Sequence, residues 1–436
     1  MSGIAKLACE KGFHVVGFDK NYAAPMFDVL KDINIQLDDK EPSTLDDIDF
    51  VVIGNASSQH DNIVALALNQ NIPILSGPQF LQMFILKDYK TIAISGTHGK
   101  STTTAMLAWL LTSANKDPGF LIGGIAKNFN TSASLGSKDL FVIEADEYDT
   151  AFFDKRPKFF HYFPHTLLIN NIEFDHADIY QNLNDILEQF TQLTAIVPSK
   201  GNIIANHQTP VKTIMNNSKS SIEPIWFSNK DYYHVTPITA DYQKFSFCHK
   251  EQVLATVDWS LYGEHNANNA MATMLIAKQY DIAFEDSANY LSSFKGVKRR
   301  FEKIAQINGA DVYDDFAHHP TSIELNIKTL RNRGVKGRLI VVLECGSYTM
   351  RTGIHNEKLA QALNEADYVL LKKSKHANFK YQLLEQTLKE KLSIFSTEEE
   401  FYAQLTPLNI NKDDQIIMMS SQQFDGLKQK LTHTYA

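Results

Sequence analysis

Cysteine is scarce in this chain. Its 436 residues include only Cys9, Cys248 and Cys345, far apart and without a CxxC pair. That argues against a disulfide framework or a structural zinc ribbon, and it points to a reducing compartment, read here as the cytoplasm. Long apolar runs are missing too. None approaches the roughly 18 residues that a membrane span needs. The opening MSGIAKLACEKG lacks the apolar stretch of a signal peptide. There is no excess of positive charge either: 42 Lys and Arg against 50 Asp and Glu give a net charge of −8. This balance argues against nucleic acid as a partner. Low-complexity tracts and internal repeats are absent. What remains is a soluble chain, 44% apolar, with enough material for several cores and a length typical of two to four domains.

Short apolar runs alternate with helical stretches, the pattern of parallel sheets with crossovers. Strands are expected at His14–Asp19, Asp49–Gly54 and Ile72–Leu75, with a helix over Asp61–Leu68. A second unit starts near Lys87, with strands at Thr91–Ser95, Leu140–Glu144 and Leu167–Asn170 and a helix over Thr102–Leu111. From 202 to 262 the chain reads as short β pieces, including Lys244–Cys248 and Val253–Trp259, and then turns helical. A third unit opens near Arg299, with strands at Leu339–Leu343, Tyr368–Leu371 and Gln415–Ser420 and a helix over Glu357–Glu365. The reading is three α/β units over residues 1–86, 87–298 and 299–436.

The most informative segment is Thr91-Ile-Ala-Ile-Ser-Gly96-Thr97-His98-Gly99-Lys100-Ser101-Thr102. A β run feeds a tight turn, and a helix starts at once. The N–H groups at such a helix start carry the positive dipole end and suit a triphosphate. Gly96 and Gly99 let the backbone approach phosphate closely. Lys100 is suited to neutralise phosphate oxygens and the Ser101 hydroxyl to bind Mg²⁺. The strict pattern GxxxxGK[ST] requires glycine at 94, where this chain has Ile94.

The run Gly96–Thr103 closely resembles the GTHGK[ST]T loop of the Mur ligases, which tolerates that missing glycine. Four further motifs follow in the order of that family. They are Glu144-Ala-Asp-Glu-Tyr-Asp149 and Asn171-Ile-Glu-Phe-Asp-His176-Ala-Asp178, then Gly263-Glu-His265-Asn266-Ala-Asn-Asn269, then Arg299-Arg300-Phe-Glu302 with Asp314-Asp315-Phe-Ala-His318-His319-Pro320. Within the family, the stretch from Phe141 to Tyr180 is most similar to the branch that joins UDP-N-acetylmuramate to the tripeptide L-Ala-γ-D-Glu-meso-diaminopimelate in cell-wall recycling.

The resemblance implies three domains: a Rossmann-like domain for the UDP sugar, a central P-loop ATPase-like domain, and a Rossmann-like third domain for the incoming amine. It implies ATP and Mg²⁺ as cofactors, and a monomer or weak homodimer. It makes Ser101, Glu144 and His176 the metal-site residues, with Asp146 and Glu147 as adjacent candidates. It places His265, Asn266 and Asn269 on the adenine side, and brings Arg300, Asp315 and His318 to ATP when the third domain closes. Lys100, His176 and Arg300 would be catalytic. Asp19, Gly54 and Asn55 are candidates to line the UDP-sugar site, and Ser347, Thr349, Met350 and Arg351 to meet the peptide. Branches that use a carbamylated lysine place it shortly after the His176 position; residues 177 to 199 contain no lysine, so that device is not expected here.

Three features depart from the family pattern. Members open with a strand and a glycine-rich loop, whereas Met1–Ala5 reads as the end of that loop, so the first strand is expected to be missing. Gly346 stands where the tripeptide branch has arginine, and Ser420-Ser-Gln-Gln-Phe424 replaces an SNGGF-like phrase. Both of the latter changes fall in the amine-binding region, which keeps L-alanine open as the alternative amine. A nucleotide switch is a rival of another class, but its base-reading NKxD is missing: Asn229-Lys230-Asp231 has the aspartate one place early. A catalytically dead scaffold is a third reading, and the intact phosphate and metal motifs argue against it.

Overall fold

The computed structural model describes residues 1–19, 26–31, 33, 35–38, 41–373 and 379–435. Its centre is a ten-stranded sheet in the order Gln252–Asp258, Lys244–His249, Tyr233–Pro237, Ile225–Phe227, Asn202–Asn206, Thr166–Ile169, Lys90–Ser95, Leu140–Ala145, Gly119–Ala126, Thr131–Ser134. The run of seven strands from Tyr233–Pro237 to Gly119–Ala126 is parallel; the strands at both margins pair antiparallel. Buried parallel strands have to be apolar on both faces, and Ile92, Ala93 and Ile94 are all fully buried. Alternate side chains feed two cores. Ile92, Ile94, Val142 and Leu168 pack on one side with the helices Lys100–Ser113 and Glu264–Lys278. Ala93, Phe141, Ile143 and Leu167 pack on the other.

The helix Ser2–Glu10 also belongs to that second core, through Leu7 and Ala8. Phe80, Leu81 and Ile85 join it, so the first unit leans on the central sheet over a broad apolar contact. The first unit's strands form two separate parallel pairs, Val16–Phe18 with Gln36–Asp38 and Val51–Ile53 with Ile74–Ser76. No ladder joins the two pairs among the described residues. The third unit is a six-stranded sheet in the order Glu302–Ile307, Ala310–Asp315, Gln415–Met419, Leu339–Glu344, Tyr368–Lys372, Leu392–Phe395. It is parallel apart from its first strand, with a core on each face.

Candidate active site

In open α/β sheets, ligands settle beyond the carboxyl ends of the strands, and here three central neighbours end together. Ser95 leads into the phosphate loop, Ala145 into Asp146 and Glu147, and Ile169 into Asn170 and Asn171. Gly96 (φ 129°) and Gly99 (φ 83°) both adopt the backbone region that favours glycine. A Cβ on Gly96 would lie 2.9 Å from the Asn171 carbonyl oxygen, and one on Gly99 would lie 2.8 Å from Asn269 Oδ1. The loop is tied down from outside: the N–H of Thr97 donates to Asn171 O at 2.7 Å and that of His98 to Asn171 Oδ1 at 2.8 Å. The helix Lys100–Ser113 then starts with its first N–H groups unbonded within the helix.

Lys100 Nζ donates to Glu147 Oε2 at 3.0 Å and to Gly96 O at 2.7 Å, and lies 3.7 Å from Asp146 Oδ1. Burial alone would pull this ammonium down, but Glu147, Asp146 and Glu144 outweigh it and hold Lys100 well above its ordinary value. Glu147 is the converse case. Burial pushes it up, yet Lys100 and His176 bring it down to about 2. His176, at positive φ (56°), places Nε2 3.5 Å from Glu147 Oε1. Its imidazole is held above the usual range because pairing with Glu147 and Asp175 exceeds the effect of burial. Ser101 Oγ donates to Glu144 Oε1 at 3.0 Å, and Gly123 N–H donates to Glu144 Oε2 at 2.7 Å. Burial, together with neighbouring Asp146, pushes the Glu144 carboxyl up. A hydroxyl beside two crowded carboxylates is a donor set that suits a hard divalent cation.

The third unit reaches this loop. Arg300 Nη2 donates to Ser101 Oγ at 3.4 Å and stacks over Phe316. Thr349 Oγ1 accepts from the N–H of Ala177, and Thr321 Oγ1 donates to Glu173 Oε2 at 2.6 Å. Asp315 is buried, and its two oxygens accept from the backbone N–H groups of Phe301 and Ala317, so it fixes the segment that carries Arg300. His318 rests against Phe316 O. His265 is half-buried, and desolvation, aided by Arg300, takes it down to about 4.

Several expected residues sit elsewhere or serve otherwise. Asn269 is buried under the phosphate loop, where it accepts from Asn170 Nδ2 at 2.8 Å. Asn266 Nδ2 donates to Tyr262 O. These contacts tie one amide atom of each residue to the floor of the loop and to the start of the helix Glu264–Lys278. Met350 is buried in a third-unit core and is not open to a peptide. Ser347 caps the short helix Tyr348–Arg351.

Asp19, Gly54 and Asn55 do come together. They line a cavity of about 440 Å³ between the first and central units, along with Ser2, Gly77, Glu144 and Asp146. One residue that the sequence did not single out, Lys158, lines the same cavity. Its Nζ is 4.0 Å from the Tyr148 ring centroid and 3.7 Å from Asp146 Oδ2. It sits just after a strand in a polar stretch, and nothing local in the sequence distinguishes it from a surface lysine. Gly346 meets the other departure from the family pattern: a Cβ there would lie 2.4 Å from Gln422 Cγ and 2.9 Å from Ser421 Oγ. The two changed segments pack on one another.

Comparison with known proteins agrees with this geometry. The Mur ligase middle domain matches residues 94–277, and the Mur ligase glutamate ligase domain matches residues 299–422. The chain is 40% identical to the UDP-N-acetylmuramate–L-alanyl-γ-D-glutamyl-meso-2,6-diaminoheptandioate ligase of Escherichia coli, over 99% of this chain and 95% of that one. It is 32% identical to a UDP-N-acetylmuramate–L-alanine ligase of Clostridium acetobutylicum, over 76% and 72% respectively. The crystal structure of a murein peptide ligase from Psychrobacter arcticus superposes with a TM-score of 0.74 at 33% identity, covering 99% of this chain and 96% of that one. The chain therefore belongs to the Mur ligase family of ATP-dependent ligases.

Proposed function

We propose that this enzyme joins the carboxylate of UDP-N-acetylmuramate to the free amine of L-Ala-γ-D-Glu-meso-diaminopimelate, with cleavage of ATP to ADP and phosphate, in the cytoplasmic recycling of cell-wall peptide. The single observation that supports it best is a shared wall. Glu144 hydrogen-bonds Ser101 of the phosphate loop and also lines the cavity that holds Asp19, Gly54 and Asn55. A nucleotide sugar lying in that cavity would bring its acid end to the loop. The tripeptide is favoured over alanine by the greater identity and coverage of the tripeptide-ligase relative.

In this reading the muramate carboxylate attacks the γ-phosphate of ATP, and ADP leaves. The amine then attacks the acyl phosphate, phosphate departs and an amide remains. Catalysis of the first step is positioning and charge neutralisation. Lys100 would exchange Glu147 for phosphate oxygens. Arg300 would place its guanidinium over the transferring group from the third unit. Ser101 and Glu144, with His176 near by, would hold Mg²⁺, which supplies positive charge to the phosphate oxygens when bound. Packing of the third unit on the loop would keep water from the acyl phosphate.

The test is phosphate release with UDP-N-acetylmuramate and a panel of amines. The tripeptide should drive turnover and L-alanine should not. Turnover with alanine alone would assign the alternative amine. Phosphate release independent of any amine would reject ligation.

A further inference from the structure

Three imidazoles and a carboxylate gather where the third unit meets the phosphate loop, beside the site just described. His98 comes from the loop, Glu173 follows the strand Thr166–Ile169, and His319 caps the helix Pro320–Asn332. His98 Nε2 is 3.9 Å from Glu173 Oε1, and His319 Nδ1 is 3.6 Å from Glu173 Oε2. The rings of His98 and His319 are 4.7 Å apart, and His355 stands edge-on to His319 at 4.8 Å.

The polar accounting of this cluster does not close. Nε2 of His98, of His319 and of His355 are all buried without a hydrogen-bond partner. Buried ring nitrogens are ordinarily satisfied. Nδ1 of His319 has only long contacts, accepting from the N–H of Thr321 at 3.4 Å and lying 3.6 Å from Glu173 Oε2. Burial keeps His319 neutral, with a pKa of about 3, and a neutral imidazole is the form that offers a lone pair. One donor atom from each of His98, Glu173 and His319 lies within 4.8 Å of the other two. Around a tetrahedral cation such donors sit about 3.4 Å apart, as bonds of about 2.0–2.1 Å require. Side-chain movements of about 1 Å close that difference.

We propose that His98, Glu173 and His319 form a binding site for a borderline-soft divalent cation of the zinc type, built across the contact of the central and third units. Two nitrogens and one carboxylate match the preferences of zinc, cobalt and iron rather than those of magnesium. Thr321 Oγ1, which donates to Glu173 Oε2 at 2.6 Å, supplies the outer hydrogen bond that orients a ligating carboxylate. The ligands belong to two units. A bound cation therefore fastens the third unit to the phosphate loop and opposes the opening that product release requires. This proposal does not rest on the choice of amine.

The probe is Co²⁺, titrated alone into the full-length, nucleotide-free protein with excess Mg²⁺ present to occupy the oxygen-rich site. The wild type should develop an intense visible d–d absorption that saturates at one equivalent, as low-coordinate nitrogen ligation gives and six-coordinate oxygen ligation does not. Glu173→Gln keeps an acceptor for Thr321, and His319→Ala removes a nitrogen. Both should lose the absorption or need more than tenfold more Co²⁺. Circular dichroism checks that each variant is folded, and if His319→Ala is not, Glu173→Gln decides alone. A featureless wild-type spectrum overturns the proposal. So does an absorption that persists unchanged in either folded variant.

Discussion

Replacing Glu147 by glutamine tests the electrostatic account of the site most directly. The side chain is buried, and its carboxylate is shared between Lys100 at 3.0 Å and His176 at 3.5 Å. Glutamine keeps the shape and a hydrogen-bonding oxygen and removes only the charge. The carboxyl moves from 4.5 to about 2 on folding. At about 1.4 kcal/mol per pH unit this is worth about 3 kcal/mol in favour of the charged, folded form. Breaking a buried pair from one side costs a similar amount, about 3–5 kcal/mol. The sign is fixed by a folded pKa below the unfolded one. The stabilisation is fully present above pH 4.5 and is lost as pH falls towards 2. Trp109, Trp226 and Trp259 all lie in the central unit, so tryptophan fluorescence follows the unfolding of that unit in denaturant. Glu147→Gln should unfold at clearly lower denaturant at pH 7, by about 3 kcal/mol, and the gap to wild type should narrow below pH 4.5. Coincident unfolding curves at pH 7 would refute the reasoning.

Other perturbations separate the parts of the site. Gly99→Ala should disable nucleotide binding, because Cβ would press on Asn269 in a left-handed backbone that costs about 1–2 kcal/mol; equilibrium binding of an ATP analogue reads this out. Arg300→Ala should lower kcat by about 10²-fold with a small effect on stability, as loss of one charge-stabilising donor does; steady-state kinetics checks it. Lys158→Ala should raise KM for the UDP sugar more than KM for ATP, since Lys158 lines the cavity wall and not the loop. Gly346→Arg alone should destabilise the third unit, and glycine at 421 and 422 in the same variant should restore it, because Ser421 and Gln422 fill the space that the new side chain needs; thermal melts of the two variants decide.

Much of this was legible in the sequence for a local reason. The loop Gly96–Ser101 is encoded within ten residues, and its buried strand and abrupt helix follow from Ile92, Ala93, Ile94 and the two glycines. Strand ends shift by one or two residues: His14–Asp19 shortens to Val16–Phe18, and Leu140–Glu144 extends to Ala145. What escaped depends on partners far along the chain. Thr321 meets Glu173 across 148 positions, whereas the approach of Arg300 to Ser101 across 199 was expected from the family resemblance alone. That Asn269 lies beneath Gly99 and accepts from Asn170, 99 positions away, is likewise a long-range fact. Met350 looks like a pocket residue in a loop phrase and is drawn into a core by the helix that Ser347 caps. The clash of an arginine at 346 with Gln422 is visible only once two separate strand ends lie side by side.

The wall formed by Glu144 and Asp146 has a consequence for inhibitors. On one side of a single carboxylate lies the nucleotide loop and on the other the cavity of the first unit. Two fragments, one for each side, need a tether no longer than a side chain is thick. A tether that short gives the second fragment an effective concentration in about the millimolar range. Weak binders for either compartment are therefore worth joining before they are improved separately.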